Sequence, residues 1–176
     1  MRLLKGLGKE ILCKCWWLFP DELQIKWYYR LEMGKKLDLE NPETMNEKLQ
    51  WLKLNFRKFE MTTLVDKIKV KDVVSKKIGS EYVVPLLGQW EHFDDIDFDK
   101  LPRQFVLKTN HSGGNKGVVI VTDKEKMDKK KIRATLEHSL RKDNIYHTYR
   151  EWPYKDVQKR IFAEKFLGED LTDYKF

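Results

Sequence analysis

The stretch that decides the fold is Phe105-Val-Leu-Lys-Thr-Asn-His-Ser-Gly-Gly-Asn-Lys-Gly-Val-Val-Ile-Val121, in which two apolar runs enclose a polar loop. The first run, Phe105 to Leu107, and the second, Val118 to Val121, consist of β-branched or bulky residues and have the length of strands. Runs of this kind separated by a glycine-bearing loop are typical of a β-hairpin. The sequence therefore predicts strand, loop and strand here.

The loop of this hairpin has the composition of an anion-binding turn. It contains three glycines: Gly113, Gly114 and Gly117. Glycine adopts positive φ readily and lets backbone N–H groups approach an anion. Lys108 and Lys116 bracket the loop, and a half-buried lysine is costly without an anionic partner, so the pattern favours a bound phosphate. The alternative is an ordinary hairpin whose glycines only make the turn.

Two common phosphate-binding motifs are excluded by the residues on the C-terminal side of the loop. The Walker A motif and the dinucleotide fingerprint both place their glycines immediately before a helix. Here the glycines precede the apolar run that begins at Val118. Any phosphate site in this loop therefore belongs to another class.

Composition indicates a soluble globular chain with an anionic partner. The 176 residues are 41% hydrophobic and 36% charged, and the net charge is +7. Such a surplus of basic residues favours nucleotides, nucleic acids or anionic membranes as partners. We do not expect nucleic-acid binding, because the basic run Lys129 to Arg133 has no interleaved aromatic residues for stacking.

The cysteines and the N-terminus give no sign of secretion. Cys13 and Cys15 are too close together to staple a fold, and no further ligands for a zinc site lie nearby. The apolar run Ile11 to Phe19 is too short to span a bilayer and has no cleavage site after it. We therefore expect a cytoplasmic protein.

Residues 1–19 form a basic, amphipathic segment with two interpretations. Lysines and an arginine alternate with leucines and tryptophans, which suits a helix at the surface of an anionic membrane. A helix packed on the rest of the protein has the same pattern. On the first interpretation the protein is peripheral to the inner face of the membrane.

Helical signals dominate the next part of the chain. Asp21 is placed to cap a helix that runs to about Met33 and stops at Gly34, with an apolar side of Leu23, Trp27, Leu31 and the neighbouring tyrosines. A capping box from Thr44 to Glu47 predicts a second helix start, whose apolar residues are Met45, Leu49, Leu52 and Phe56.

The middle of the chain predicts one long helix, then extended structure. The apolar periodicity predicts a helix from Leu64 to Ile78 that ends at Gly79. A short strand over Tyr82 to Val84 and a solvated acidic loop over Glu91 to Asp99 are expected to lead into the hairpin.

After the hairpin, Asp128 is placed to cap a helix whose buried side is predicted to contain Ile132, Leu136 and Leu140. The aromatic segment Tyr146 to Tyr154 has the composition of a loop. Arg160 to Leu167 reads as a strand, and a second strand begins at Asp173. The mixture of helices and strands predicts an α+β or α/β fold.

Three separated elements together resemble the ATP-grasp fold. These elements are the pair Asp66-Lys67, the lysine Lys108 before the glycine loop, and Glu164-Lys165-Phe166-Leu167 on the late strand. The resemblance implies that Lys67 and Lys108 bind the phosphates of ATP and that the loop closes over them through Ser112, Gly113, Gly114, Lys116 and Gly117. It also implies that Glu164, Lys165 and Leu167 form the hinge that receives adenine through its backbone.

The resemblance is closer still to the family named for the teichuronopeptide biosynthesis protein TupA. It covers the chain from about Asp21 onward, and five segments carry it: Gly34-Lys-Lys-Leu-Asp-Leu-Glu-Asn-Pro-Glu-Thr44, Asn46-Glu-Lys-Leu-Gln-Trp-Leu-Lys-Leu54, Asp66-Lys67, Leu101-Pro-Arg-Gln-Phe-Val-Leu-Lys-Thr-Asn-His111 and Asp173-Tyr-Lys-Phe176. Each segment alone is a weak signal, whereas the combination is specific.

The resemblance implies a fold and an activity. We expect an α+β protein with an N-terminal helical region over residues 1–60, a first ATP-grasp-like subdomain over 61–104 and a second subdomain over 105–176 with an antiparallel sheet. The implied activity is an ATP-dependent ligase of the carboxylate–amine or carboxylate–thiol type, which activates a carboxylate as an acylphosphate for attack by an amine or another nucleophile, in the synthesis of a cell-surface polysaccharide.

The family's magnesium ligands lie in a part that follows Asp173-Tyr-Lys-Phe176. We therefore expect a C-terminally truncated ATP-grasp fold that lacks its magnesium site, is not competent alone, and has a complementing C-terminal half as a candidate partner. Phosphoryl transfer without magnesium should be severely impaired.

Single residues keep alternative interpretations when the resemblance is set aside. Lys67 lies in a lysine-rich segment, where a solvated side chain is common, and Lys71 is the second candidate for its role. Glu164 suits an outward-facing strand position as well as a hinge. His111 is more often a capped or solvated histidine than a catalyst.

Two other functions remain open at this level. A glycosyltransferase would use an aspartate pair, for which Asp95-Ile-Asp97 has the spacing. A non-catalytic, membrane-associated fragment would use the basic N-terminal segment.

Overall fold

The computed structural model describes residues 18–142, 145–168 and 172. The contacts divide this part of the chain into two compact units, the first within Met1–Val65 and Asn144–Val157 and the second within Asp66–Asp143 and Gln158–Phe176. The predicted membrane-binding segment up to residue 17 and the predicted strand from Asp173 lie outside the described residues.

The described residues form six α-helices and four β-strands. The helices are α1 (Asp21–Met33), α2 (Met45–Asn55), α3 (Glu60–Val65), α4 (Lys69–Ile78), α5 (Lys129–Lys142) and α6 (Ile145–Tyr149). The strands are β1 (Leu86–Trp90), β2 (Phe105–Thr109), β3 (Val118–Val121) and β4 (Ile161–Lys165).

The four strands make one sheet in the order β1-β4-β2-β3, and every pairing is antiparallel. The predicted hairpin is confirmed, since β2 pairs with β3 and Leu107 lies opposite Val119. Strand β4 inserts beside β2, which places Ala163 opposite Leu107 and Phe162 opposite Lys108. Because side chains alternate along a strand, this register decides which residues share each face of the sheet.

One face of the sheet carries the hydrophobic core of the second unit. The core combines strand residues, α5 and the two short 3-10 turns that precede the hairpin: Phe93, Ile96, Phe98, Leu101, Phe105, Leu107, Val121, Ile132, Leu136, Ile161 and Ala163. The predicted inner side of α5 is confirmed, with Leu136 fully buried and Leu140 packed against the cluster. Asp128 accepts the backbone N–H of Lys131 as the predicted cap.

In the first unit, the predicted helix boundaries are confirmed, but the N-terminal cap predicted for α1 is wrong. Thr44 and Glu47 form the expected capping box, and Gly34 ends α1 with φ of +72°. Asp21, however, is the first residue of α1 and makes no cap. Its carboxylate instead pairs with Arg57 at 2.7 Å and accepts the Tyr146 hydroxyl at 3.2 Å.

The apolar side predicted for α1 is only partly covered, and that predicted for α2 is exposed. Of the residues predicted for α1, Leu23 and Trp27 are 37% and 46% exposed, whereas Tyr29 is buried together with Ile25 and Leu37. On α2 the four predicted apolar residues are likewise exposed: Met45, Leu49, Leu52 and Phe56. Periodicity located these helices, but tertiary contacts decided which side is covered.

The single helix predicted from Leu64 to Ile78 is wrong, because the chain breaks between α3 and α4. The buried carboxylate of Asp66 accepts the backbone N–H groups of Ile68 and Lys69 at 2.9 and 3.3 Å. An aspartate that takes backbone donors in this way stabilises a turn and competes with a continuous helix. Lys67 therefore lies in a turn before α4.

The strand predicted over Tyr82 to Val84 is also wrong. Ser80–Tyr82 form a 3-10 turn, and the strand begins only after Pro85, at Leu86. Pro85 has no N–H to donate to a ladder, and pairing with β4 selects the next segment.

Two predicted loops contain more structure than expected. The acidic stretch exposes its carboxylates but buries Phe93, Ile96 and Phe98 in the core, so it is not simply solvated. The segment Tyr146 to Tyr154 is not a loop: Tyr146 and its neighbours form α6, and Trp152–Tyr154 form a 3-10 turn. Burial of Tyr146 overrides the loop composition.

The α+β class predicted from the sequence is confirmed by these helices and the antiparallel sheet. The predicted domain limits at residues 1–60, 61–104 and 105–176 stay predictions. Among the described residues, no helix has both the length and the apolar character needed to cross a membrane.

Candidate functional site

The face of the sheet opposite the core carries a buried carboxylate and a lysine. Glu164 on β4 is 6% exposed, and its Oε2 atom accepts a hydrogen bond from Lys108 Nζ at 2.6 Å. The register places Lys108 opposite Phe162 and Glu164 opposite Val106. The two charged side chains are therefore diagonal neighbours on one face, a spacing that long side chains can bridge.

A second lysine reaches the same carboxylate from α4. Lys71 Nζ lies 2.5 Å from Glu164 Oε1 and donates to the carbonyl oxygen of Val84 at 2.8 Å. Each oxygen of Glu164 thus has its own lysine. The lysines differ in access to solvent, since the side chain of Lys71 is 14% exposed and that of Lys108 is 31% exposed.

The two lysines keep Glu164 ionised. Burial by itself raises the pKa of a carboxyl group, because it disfavours the charged form. Here the hydrogen bonds from Lys108 and Lys71 outweigh burial, and the pKa of Glu164 lies below its ordinary value of 4.5. Two ammonium groups and one carboxylate leave this cluster with a net positive charge.

Lys67 lies at the base of the glycine loop. Its Nζ atom donates to the carbonyl oxygen of Ser112 at 2.6 Å, and its backbone N–H donates to the carbonyl oxygen of Asn110 at 3.2 Å. Asn110 is fully buried and also binds the chain before β4, donating to Gln158 O and accepting from Arg160 N. Asn110 therefore holds the Lys67 turn, the end of β2 and the start of β4 together.

The two ends of the glycine loop are anchored by buried hydroxyl groups. Ser112 is 2% exposed, and its hydroxyl lies 2.7 Å from that of Thr109 and donates to the carbonyl oxygen of Lys116 at 2.8 Å. The Thr109 hydroxyl lies 2.9 Å from that of Ser139 on α5. Gly117 has φ of +62°, and a Cβ atom there would overlap these Thr109 and Ser139 hydroxyls.

The tip of the loop is open to solvent. Gly113, Gly114, Asn115 and Lys116 are all exposed. Gly114 has φ of +61°, and a Cβ atom at this position would meet nothing within 4 Å. An exposed backbone with this conformation can present N–H groups to an anion, as the sequence predicted.

The predicted adenine hinge lies at the end of β4. The Glu164 side chain is engaged by the two lysines, and the backbone N–H of Lys165 donates to the carbonyl oxygen of Pro85 at 3.1 Å. Leu167, just beyond the strand, is 53% exposed. The role of these three residues in reading adenine stays a prediction.

The structure adds two residues that the motifs did not assign to the site. Lys71 was only the second candidate for the role of Lys67, yet it is the lysine that binds Glu164 together with Lys108. Asn110 is the second: it lies in the segment Leu101 to His111 that carries the family resemblance, but the resemblance gave it no role in the site. The sequence favoured a capped or solvated side chain for His111; at 4% exposure the residue is not solvated, and the capped alternative stays a prediction.

The aspartate pair of the glycosyltransferase interpretation is occupied by local contacts. Asp95 accepts the backbone N–H of His92 at 3.3 Å, and Asp97 pairs with Lys100 at 3.0 Å. Within residues 18–142 and 145–168, no group of three or more His, Cys, Asp or Glu side chains is arranged to hold a metal ion.

The antiparallel sheet, the lysine on its strand β2 and the glycine loop after that strand are the features that the resemblance to the ATP-grasp fold implies. The model of the TupA-like ATPgrasp family matches residues 47–176. This match covers most of the chain, and the protein belongs to that family. No curated protein and no solved structure gave a significant match.

Proposed function

We propose that the protein binds ATP through the lysine cluster and the glycine loop of its second unit. The observation that carries the proposal is that Lys71 and Lys108 both contact Glu164 on one face of the sheet, while Lys67 binds the base of the exposed glycine loop that follows β2. ATP carries several negative charges, and charge-assisted hydrogen bonds from lysines with backbone N–H groups are its usual protein partners.

The individual groups have separate tasks in this proposal. Lys108 is the more exposed of the two lysines that bind Glu164, which supports its role as a donor to a phosphate. Lys67 holds Ser112 and so sets the position of the loop base. The exposed backbone from Gly113 to Lys116 closes over the phosphates. Catalysis then depends on position and electrostatics rather than on a protein nucleophile.

We further propose that the reaction is a carboxylate–amine ligation in the synthesis of a bacterial cell-surface polysaccharide, such as a teichuronopeptide or an exopolysaccharide. Bound ATP supplies the phosphoryl group that activates the carboxylate, ADP departs, and an amine then displaces phosphate to form the amide. The family membership supports the ATP-dependent step, and the polysaccharide rests on the resemblance to TupA.

Titration calorimetry with ATP and with adenosine tests the binding site. In Lys108→Ala the loss of one charge-assisted hydrogen bond, worth about 1.5–3 kcal/mol, should weaken ATP binding by about tenfold or more. Adenosine, which has no phosphate, should bind the variant and the wild type equally. The matched control is Lys77→Ala, since Lys77 is an exposed lysine on α4.

The outcomes separate the alternatives clearly. An unchanged ATP affinity in Lys108→Ala, or no ATP binding by the wild type, would contradict the proposed site. Equal losses of ATP and adenosine affinity would indicate damage to the fold instead. If ADP is released from ATP only when a carboxylate such as glucuronate or glutamate is added, this result would support the proposed ligase activity.

A further inference from the structure

We propose that Lys71 is a positioning residue of the ATP site: it shares Glu164 with Lys108 and keeps this carboxylate neutralised when Lys108 turns to a phosphate. The inference rests on the proposed function, which it extends to a residue outside the family motifs. It also gives the Glu164 side chain a task, which is to hold Lys108 in place until the nucleotide arrives.

The geometry assigns the two lysines to different oxygens of one carboxylate. Lys71 contacts Oε1 at 2.5 Å and Lys108 contacts Oε2 at 2.6 Å. The two lysines therefore do not compete for a single atom. Lys108 can leave while the bond between Lys71 and Glu164 remains intact.

The two lysines also differ in how firmly they are held. Lys71 donates a second hydrogen bond to the carbonyl oxygen of Val84 at 2.8 Å, and its side chain is only 14% exposed. The Lys108 side chain is 31% exposed. An incoming phosphate therefore competes for Lys108, whereas Lys71 is fixed between α4 and the segment before β1.

Burial of the carboxylate explains why a second lysine is needed. The Glu164 side chain is 8% exposed, and a buried charge left without a partner is strongly unfavourable. With Lys108 as its only partner, Glu164 would resist the transfer of Lys108 to ATP. Because Lys71 stays in place, the carboxylate retains a cation throughout, and the cost of releasing Lys108 falls.

Chemical reactivity of Lys108 tests this sharing without ATP. The probe is acetylation by acetic anhydride, measured by mass spectrometry with Lys77 of the same chain as the reference. In Lys71→Met, Glu164 has only Lys108, so acetylation of Lys108 should slow by about three- to tenfold. Lys71→Arg should restore the wild-type rate, and Glu164→Gln should raise it above wild type.

A purely structural role for Lys71 predicts the opposite sign. Loss of a packing contact would loosen the site and speed the acetylation of Lys108. A faster or unchanged rate in Lys71→Met would therefore overturn the proposal. If Lys71→Met fails to fold, the Glu164→Gln variant provides the test instead. An acetylation rate of Lys108 in Glu164→Gln that does not exceed the wild-type rate would also overturn the proposal.

ATP affinity by titration calorimetry completes the test. Lys71→Met should weaken ATP binding by about tenfold, and the double variant Lys71→Met/Glu164→Gln should restore it to within about threefold of wild type. In the Lys108→Ala/Glu164→Gln background, which has no buried carboxylate to neutralise, Lys71→Met should have no further effect, whereas a direct attraction between Lys71 and the phosphates would add a second loss and overturn the proposal. No ATP binding by the wild type overturns the proposed function, while the acetylation rates still show whether the two lysines share Glu164.

Discussion

The two faces of the sheet are built from the same strands but have opposite chemistry. On one face Phe105, Leu107 and Ile161 are fully buried in an apolar core. On the other, Lys108 and Glu164 form a buried ionic cluster with a lysine from α4. The period of two along a strand makes this separation possible, because neighbouring residues face opposite ways.

The comparison teaches that the folding core and the proposed binding face use adjacent residues of the same strands with little overlap. Burial of apolar surface is the main source of folding free energy. A buried ion pair contributes less, because desolvation offsets its attraction, but removal of one partner is costly. We therefore expect core variants to change unfolding strongly and lysine variants to change ligand binding first.

The largest effect is expected from Ile161→Ala, on the core face of β4. Ile161 is fully buried, and removal of such a side chain should lower the free energy of unfolding by about 2–5 kcal/mol. Denaturation by urea measures this change. The matched control is Ile120→Ala on β3, whose side chain is 60% exposed and whose loss should cost below about 0.5 kcal/mol. Equal losses in the two variants would contradict the division between the faces.

The glycine loop contains a second pair of contrasting positions, Gly117 at its anchored end and Gly114 at its open tip. Gly117→Ala should cost about 2–4 kcal/mol of unfolding free energy, because the new methyl group combines an unfavourable φ with overlap of the Thr109 and Ser139 hydroxyls. Gly114→Ala should cost only about 1 kcal/mol, since its surroundings are empty and only the backbone is strained. Thermal or urea denaturation compares the two, and a larger loss at Gly114 would show that the tip is packed.

The smallest effect is expected in the pH dependence of the unfolding free energy, to which the cluster of Glu164, Lys71 and Lys108 contributes. The pKa of Glu164 is lower in the folded protein than its ordinary value of 4.5. Its stabilising contribution is therefore complete above that value and is lost as the pH falls through the lower, folded-state pKa. Urea denaturation of wild type and Glu164→Gln between neutral and acidic pH should show a stability difference that shrinks in acid.

The control for this pH series is Glu125→Gln, since Glu125 is an exposed carboxylate. Its difference from wild type should stay small at every pH. Hydrogen bonds from Thr44 lower the pKa of Glu47 to about 2, so this residue also changes charge in acid. Because Glu47 is present in all three proteins, it does not contribute to the differences between them. A stability difference for Glu164→Gln that grows in acid would contradict the assigned direction.

Features that depend on near neighbours were predictable from the sequence. The capping box at Thr44, the glycine stop at Gly34 and the hairpin around the loop each rest on contacts between residues a few positions apart. The α+β class followed from the mixture of helix and strand signals, and the family resemblance from the five segments that carry it. Lys67 and Lys108 were also predicted for the site, and both lie beside the loop or on the adjoining strand.

Features that depend on distant pairing were not predictable in this way. Three local features were missed. The helix breaks at Asp66 because its side chain binds backbone N–H groups, and the strand begins at Leu86 because this segment pairs with β4. The helical turn at Tyr146 forms because burial of this residue overrides local propensity. The pattern of residues also gave no sign that Lys71 would reach Glu164.

The sequence by itself determined the class of fold, the hairpin with its glycine loop, and the surplus of positive charge that favours an anionic ligand. Only the tertiary structure decided which lysines meet which carboxylate, since Lys108 and Glu164 are 56 positions apart. The physical reason is the register of β4 beside β2: a shift by one residue would turn Glu164 to the core face and separate it from Lys108.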